Sequence, residues 1–232
     1  MKVVILAGGF GTRLSEYTNE IPKPMVPIGK KPMIEHIMNL YAFYGHKDFY
    51  LALGYKSQVI KSYFKNIKKD WKINLIDTGI NTFTGGRVKR LEKFLNKETF
   101  LLTYGDGISN ININNLINFH KRHKKLVSVT AVQPPARFGA LTIKGSKVLQ
   151  FQEKIKNSNS WINGGFFVIN PNFFNYLKDD KTILEKDPLE KVVKKGQMRA
   201  FKHYGFWQCM DHKSDRDKLE KIFKKNKTPW KK

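Results

Sequence analysis

The stretch Val3-Val4-Ile5-Leu6-Ala7-Gly8-Gly9-Phe10-Gly11-Thr12-Arg13-Leu14 decides the fold. Its first five residues form an unbroken apolar run, the pattern of a strand covered on both faces of a parallel sheet. The glycines that follow make a turn whose backbone can approach an anion closely and offer amide donors to it. A helix start beyond such a turn would add a favourable dipole. A Walker A loop is excluded, because no Gly-Lys-Ser/Thr follows. A dinucleotide fingerprint fits poorly, because Leu14 stands where a last small residue should pack. Arg13, followed by Lys23, suits a triphosphate better than a ribose hydroxyl; a tight turn with no ligand stays open on this segment alone.

Outward from this turn, strand and helix patterns alternate. Residues 21–28 contain three prolines and are expected to be extended rather than helical. Helical periodicity runs over 33–44 and marks 59–64 and 116–120, while 49–53, 73–77 and 99–104 read as strands. Beyond residue 126 the pattern changes to strands at 127–132, 140–143, 148–151, 166–169 and 199–203, with helices near 188–193 and 215–225. The expected class is α/β: a doubly wound, mostly parallel, Rossmann-like sheet with an added mixed-strand region. We read 1–232 as one domain, with the change of pattern separating a first half over about 1–125 from a second over about 126–232.

Composition narrows the function classes. The 232 residues carry 43 Lys+Arg against 19 Asp+Glu, a formal charge of +24. Such a balance suggests nucleic acid, but 36 of the cations are lysines spread along the chain and only seven are arginines, the residue favoured for bidentate recognition. The charge reads as solvated faces that attract anions, with no specific nucleic acid. Cys209 is the single cysteine, so no internal disulfide forms, and a cytoplasmic location is expected. No apolar run reaches the roughly 18–20 residues needed to span a bilayer, so no membrane partner is expected.

Several side chains carry candidate chemistry. Lys23 lies between Pro22 and Pro24, whose stiff backbone aims its ammonium. Asp106, in Tyr104-Gly105-Asp106-Gly107, follows a strand's C-terminal end, where open α/β sheets place ligands and where a carboxylate suits Mg²⁺. Asp211 is a second candidate carboxylate. His120 and His123 stand at helical spacing with no third ligand in sight, and no Gly-x-Ser-x-Gly elbow occurs, which argues against a metal cluster and a nucleophilic hydrolase.

Together these residues resemble a known family. Residues 6–14 with Pro22-Lys23-Pro24-Met25 are similar to the signature of sugar-1-phosphate nucleotidylyltransferases. Residues 82–90, 103–107, 137–141, 161–167 and 205–211 resemble its glucose-1-phosphate cytidylyltransferase branch, over nearly the whole chain. The resemblance implies transfer of a cytidylyl group from CTP to glucose 1-phosphate, with Mg²⁺ as cofactor. It implies that Leu6, Ala7, Gly8, Gly9, Phe10, Gly11, Thr12, Arg13, Lys23, Thr82, Arg87 and Gly105 bind the nucleotide. Arg13, Lys23 and Asp106 would be catalytic, and Asp106 with Asp211 would hold the metal. Gly139, Glu153, Lys154, Asn163 and Gly164 would bind the sugar phosphate. Two departures stand out. The chain is short between Phe64 and Asp77, where the cytidylyl branch carries an insertion, which bears on whether the chain forms a homo-oligomer. The run after Asp211 also differs from the usual Asp-Thr.

Other readings are a related nucleotidylyltransferase with another nucleotide or sugar, a nucleotide-sugar-dependent glycosyltransferase, and a basic nucleic-acid binder. A glycosyltransferase would not need Arg13 and Lys23 to handle a triphosphate.

Overall fold

Strand β1 (Lys2–Ala7) sends Val3, Ile5 and Ala7 into one hydrophobic cluster and Val4 and Leu6 into another, because successive strand side chains point to opposite faces. That two-sided burial is why the segment is apolar throughout. The computed structural model describes residues 1–134, 140–152, 160–225 and 228–231.

A 3₁₀ turn (Thr12–Leu14), α1 (Ser15–Thr18) and a second 3₁₀ turn (Lys23–Met25) follow β1. The hairpin β2 (Pro27–Ile28) and β3 (Lys31–Pro32) leads into α2 (Met33–Phe43). Next come β4 (Asp48–Leu53), α3 (Ser57–Lys65), β5 (Lys72–Asp77), α4 (Thr84–Lys89) and α5 (Glu92–Leu95). The middle of the chain gives β6 (Phe100–Tyr104), β7 (Gly107–Ser109), α6 (Ile113–His123), β8 (Val127–Val132), β9 (Ala140–Lys144) and β10 (Lys147–Gln152). The last third supplies β11 (Ile162–Ile169), α7 (Asp187–Lys194), β12 (Met198–His203), β13 (Trp207–Cys209) and α8 (Lys213–Lys224).

Seven strands form one sheet in the order β12-β8-β11-β6-β1-β4-β5. Its pairings are parallel except that β11 runs antiparallel to both β6 and β8. The sheet therefore continues from the first half of the chain into the second, a mixed Rossmann-like arrangement with an added mixed-strand region. Ile37 and Tyr41 of α2, Ile60 of α3, Leu116 of α6 and Leu219 of α8 cover one face. Val88 of α4, Leu95 of α5 and Val192 of α7 cover the other, with Phe173 and Leu184. Each such side chain, fully buried, contributes about 1.5–3 kcal/mol of transfer free energy. Among the described residues, no helix is long and apolar enough to cross a membrane.

One expectation needs correcting. Residues 23–25 are not extended but form a 3₁₀ turn, with Met25 N–H donating to Pro22 O at 2.7 Å and Val26 N–H to Lys23 O at 3.2 Å. The prolines permit this because the turn uses only the amides of Met25 and Val26, and Pro22 itself stays extended as the cap.

Candidate active site

The parallel strands β1, β4 and β6 end side by side, and their C-terminal ends deliver Gly8, Gly54 and Gly105 to one crevice. Gly105 N–H continues the pairing by donating to Leu6 O at 3.0 Å. Gly11 turns the chain with φ of +68°, and a β-carbon there would stand 2.9 Å from both Lys23 Cβ and Thr18 Cγ2. Only glycine lets the loop and the Lys23 turn lie this close. The helices that follow are short, so the anion-binding capacity of this loop lies in its backbone amides and in Arg13 rather than in a long helix dipole.

Lys23, buried on its 3₁₀ turn, donates to Asp106 Oδ2 and to Asp211 Oδ1, each at 2.7 Å. Arg13 reaches the same cluster, 2.9 Å from Asp211 Oδ2. The carboxylates meet because β7 pairs antiparallel with β13, placing Gly107 opposite Cys209, and Met210 N–H donates to Asp106 O at 2.8 Å. Burial by itself would lower the Lys23 pKa; Asp106 and Asp211 reverse that and hold it above the ordinary lysine value. Burial would raise Asp211, but Lys23 and Arg13 overcome it and keep the carboxyl below its usual range. Cys209 is pushed up to about 12 by burial and by Asp211 and Asp106, so its thiol stays protonated at neutral pH and is no nucleophile.

Two cavities flank the cluster and share Arg13, Tyr104 and Asp106. One, of about 550 Å³, is lined by Leu6, Ala7, Gly8, Gly9, Phe10, Gly11, Lys23, Thr82, Arg87 and Gly105. The other, of about 540 Å³, is lined by Asn163, Gly164, Trp207 and Asp211 among others. Of the expected nucleotide residues, Thr12 stands apart, exposed at the start of its turn. Gly139, Glu153 and Lys154 lie outside the described residues.

Arg87 is nearly fully buried behind the glycine loop. Its Nη1 donates to Leu53 O at 3.0 Å, Gly79 O at 2.7 Å and Thr78 Oγ1 at 2.7 Å, and its Nη2 to Gly8 O at 2.9 Å and Ile80 O at 3.3 Å. The guanidinium thus ties the ends of β1 and β4 to the loop carrying Thr82. Asn163 and Gly164 reach their cavity through an irregular register of β11 against β8 between Asn163 and Phe167. Gly165, at φ of +79°, packs where a β-carbon would lie 2.7 Å from Tyr104 Cδ2. Trp207 Nε1 donates to Gly164 O at 2.7 Å and fixes this wall.

Sequence reasoning assigned no role to Tyr104, Trp207 or Glu185, which also line the second cavity. Tyr104 could have been found from its place at a strand end beside Asp106. Glu185 could not, since it lies in a run of mixed charges, Glu185-Lys186-Asp187, with no spacing to distinguish it.

The donor chemistry fits a divalent cation. Asp106 and Asp211 converge on one ammonium nitrogen, so a hard cation near that point finds two carboxylate ligands. No group of three or more His, Cys, Asp or Glu residues forms a metal cluster among the described residues. Mg²⁺ requires none, since it takes one or two carboxylates with phosphates and water.

The nucleotidyl transferase family model matches residues 2–210. The glucose-1-phosphate cytidylyltransferase of Salmonella typhimurium is 45% identical over 254 residues, covering 100% of this chain and 99% of that protein. The chain belongs to the sugar-1-phosphate nucleotidylyltransferases. A probable glucose-1-phosphate cytidylyltransferase of Bacillus subtilis is 40% identical, with 100% of this chain and 99% of that protein covered. The 254 aligned positions exceed the 232 residues present, so the nucleotidylyltransferase described here carries deletions relative to the Salmonella protein. Among solved structures, HddC from Yersinia pseudotuberculosis has a TM-score of 0.75 at 27% identity, covering 96% of this chain and 99% of that one. UDP-glucose pyrophosphorylase in complex with UDP-glucose has a TM-score of 0.76 at 17% identity, with 97% and 98% covered, and shares the fold.

Proposed function

We propose that this nucleotidylyltransferase transfers the cytidylyl group of CTP to α-D-glucose 1-phosphate, giving CDP-glucose and pyrophosphate. The observation that carries the reading is the convergence of Lys23, Asp106, Asp211 and Arg13 at the junction of two cavities. The choice of CTP and glucose rests on the full-length likeness to proteins described as glucose-1-phosphate cytidylyltransferases.

The chemistry follows from charge. A sugar phosphate is already a nucleophile at neutral pH, so no general base is required. One of its oxygens bonds to the α-phosphorus of CTP as the bond from that phosphorus to the bridging oxygen of the β-phosphate breaks. The electron pair departs with pyrophosphate, and no proton moves. The obstacle is repulsion between two polyanions. Lys23, fixed at the junction, neutralises the reacting phosphates, and Arg13 meets the departing pyrophosphate. Asp106 and Asp211 would hold Mg²⁺, which neutralises triphosphate charge when bound. The glycine loop and Thr82 hold the nucleotide, with Arg87 bracing the loop from behind. Asn163 and Gly164 line the sugar side.

A pyrophosphate-release assay crossing CTP, UTP, dTTP and GTP with several sugar 1-phosphates tests this reading. Release should require Mg²⁺ and both substrates, with CTP and glucose 1-phosphate preferred. A preference for another pair would move the specificity elsewhere in the family, and the HddC structure solved with GMP-PN favours including GTP.

A further inference from the structure

Glu185 lies two residues before α7 and lines the second cavity. Its Oε1 accepts a hydrogen bond from the Tyr104 hydroxyl at 2.6 Å and its Oε2 one from the Thr84 hydroxyl at 2.7 Å. Thr84 Oγ1 in turn accepts from Leu184 N–H at 2.9 Å, and Asn163 Nδ2 donates to the Tyr104 hydroxyl oxygen at 3.3 Å. A phenol is protonated at neutral pH, so the Tyr104 hydroxyl serves as a donor to this carboxylate. The carboxylate is therefore held by two hydroxyls that set its orientation, yet the residue is exposed to the cavity.

A carboxylate is acceptor-only, with about four lone-pair directions, so each Glu185 oxygen keeps one direction beyond the hydroxyl it already engages. The same cavity is also lined by Arg13, Asp106 and Asp211, beside the Lys23 ammonium. A molecule with an anionic group and a ring of hydroxyls fits this polarity in one direction only. Its anion seeks Arg13 and Lys23, and Glu185 repels that anion while accepting from hydroxyl donors. Asn163 Oδ1 is the weaker acceptor here, being uncharged and already accepting from Gly165 N–H at 2.8 Å.

We propose that Glu185 is a substrate-binding residue that accepts hydrogen bonds from sugar ring hydroxyls, with Tyr104 and Thr84 as its positioning residues. The proposal rests on the reading of the second cavity as the sugar-phosphate site and names the group that reads the sugar there. Losing a hydrogen bond to a charged group costs about ten- to a hundredfold in binding.

The test uses the full chain with Glu185→Gln, Glu185→Ala and Thr84→Val, thermal unfolding as a control for folding, and steady-state kinetics with glucose 1-phosphate and its monodeoxy analogues. Glu185→Gln should raise KM for glucose 1-phosphate about ten- to a hundredfold, leaving KM for CTP within about twofold. At one deoxy position, the penalty suffered by the unmutated chain should largely vanish in the variant. Thr84→Val, with the carboxylate retained, should give a smaller rise in the same constant. An unchanged KM for the sugar phosphate and unchanged deoxy selectivity would overturn the assignment. So would equal losses toward both substrates accompanied by a lowered unfolding midpoint, which would make Glu185 structural. In both of those cases the unmutated chain is active and the nucleotidylyltransferase reading stands. If the unmutated chain releases no pyrophosphate from any pair, that reading fails and this one falls with it.

Discussion

Lys23 Nζ stands 2.7 Å from Asp211 Oδ1 although 188 residues separate them in the chain. The same nitrogen is 2.7 Å from Asp106, so one ammonium holds two carboxylates that would otherwise repel each other. This arrangement predicts how the site fails when its parts are removed.

Lys23→Gln should lower kcat by about 10²–10³, the usual cost of losing one preorganised group at a site of developing charge. KM for CTP should change less, because the glycine loop is untouched. Turnover within tenfold of the unmutated chain, in protein shown to be folded by circular dichroism, would remove Lys23 from the mechanism.

Asp106→Asn and Asp211→Asn should each shift the Mg²⁺ titration of activity to higher concentration by about tenfold or more, since each removes one hard ligand. Asp211→Asn also weakens the contact with Arg13. Superimposable metal titrations for variant and parent would show that these carboxylates do not hold the cation.

Arg87→Lys should destabilise the fold. The guanidinium serves four backbone carbonyls and the Thr78 hydroxyl, and an ammonium cannot reproduce that fork. Leaving even one buried carbonyl unpaired costs about 1–3 kcal/mol. Thermal unfolding should fall by several degrees and KM for CTP should rise, because Gly8 loses its tie. A variant as stable as the parent would contradict this account of Arg87.

Stability should decline as pH falls from about 6.5 toward 4. Burial depresses His120 to about 4, where its Nδ1 lies 3.0 Å from Ser128 Oγ. Between those values the unfolded chain binds the proton and the folded chain does not, so protons favour unfolding. The contribution is complete above the unfolded pKa and is lost as pH drops through this window. Denaturant titrations at several pH values should show that slope, and His120→Asn should flatten it. An unaltered slope in the variant would assign the effect to other groups.

Much of this molecule is legible in its residues, because the dominant signals are local. The run from Val3 to Ala7 is buried on both faces, and 127–132 reads as a strand over its observed length. Gly8, Gly9 and Gly11 mark a tight turn at the end of β1 because its backbone conformation is encoded within a few residues. What the residues signal only weakly on their own depends on distant partners. Arg87 looks like any helical arginine until β1 and β4 bring Gly8 and Leu53 to it. Asp211 is a weak signal alone and becomes a site residue only beside Lys23 and Asp106. Residues 23–25 read as extended because the prolines dominate the pattern, whereas the turn needs only two amides from Met25 and Val26.

The pairing of β7 with β13 also has a temporal meaning. Asp106 emerges from the ribosome long before Trp207–Cys209 arrives to bring Asp211 beside it. A nascent chain halted before that strand has the glycine loop and Lys23 but half of its carboxylate pair. The two-carboxylate arrangement around Lys23 therefore waits on residues far along the chain from the glycine loop.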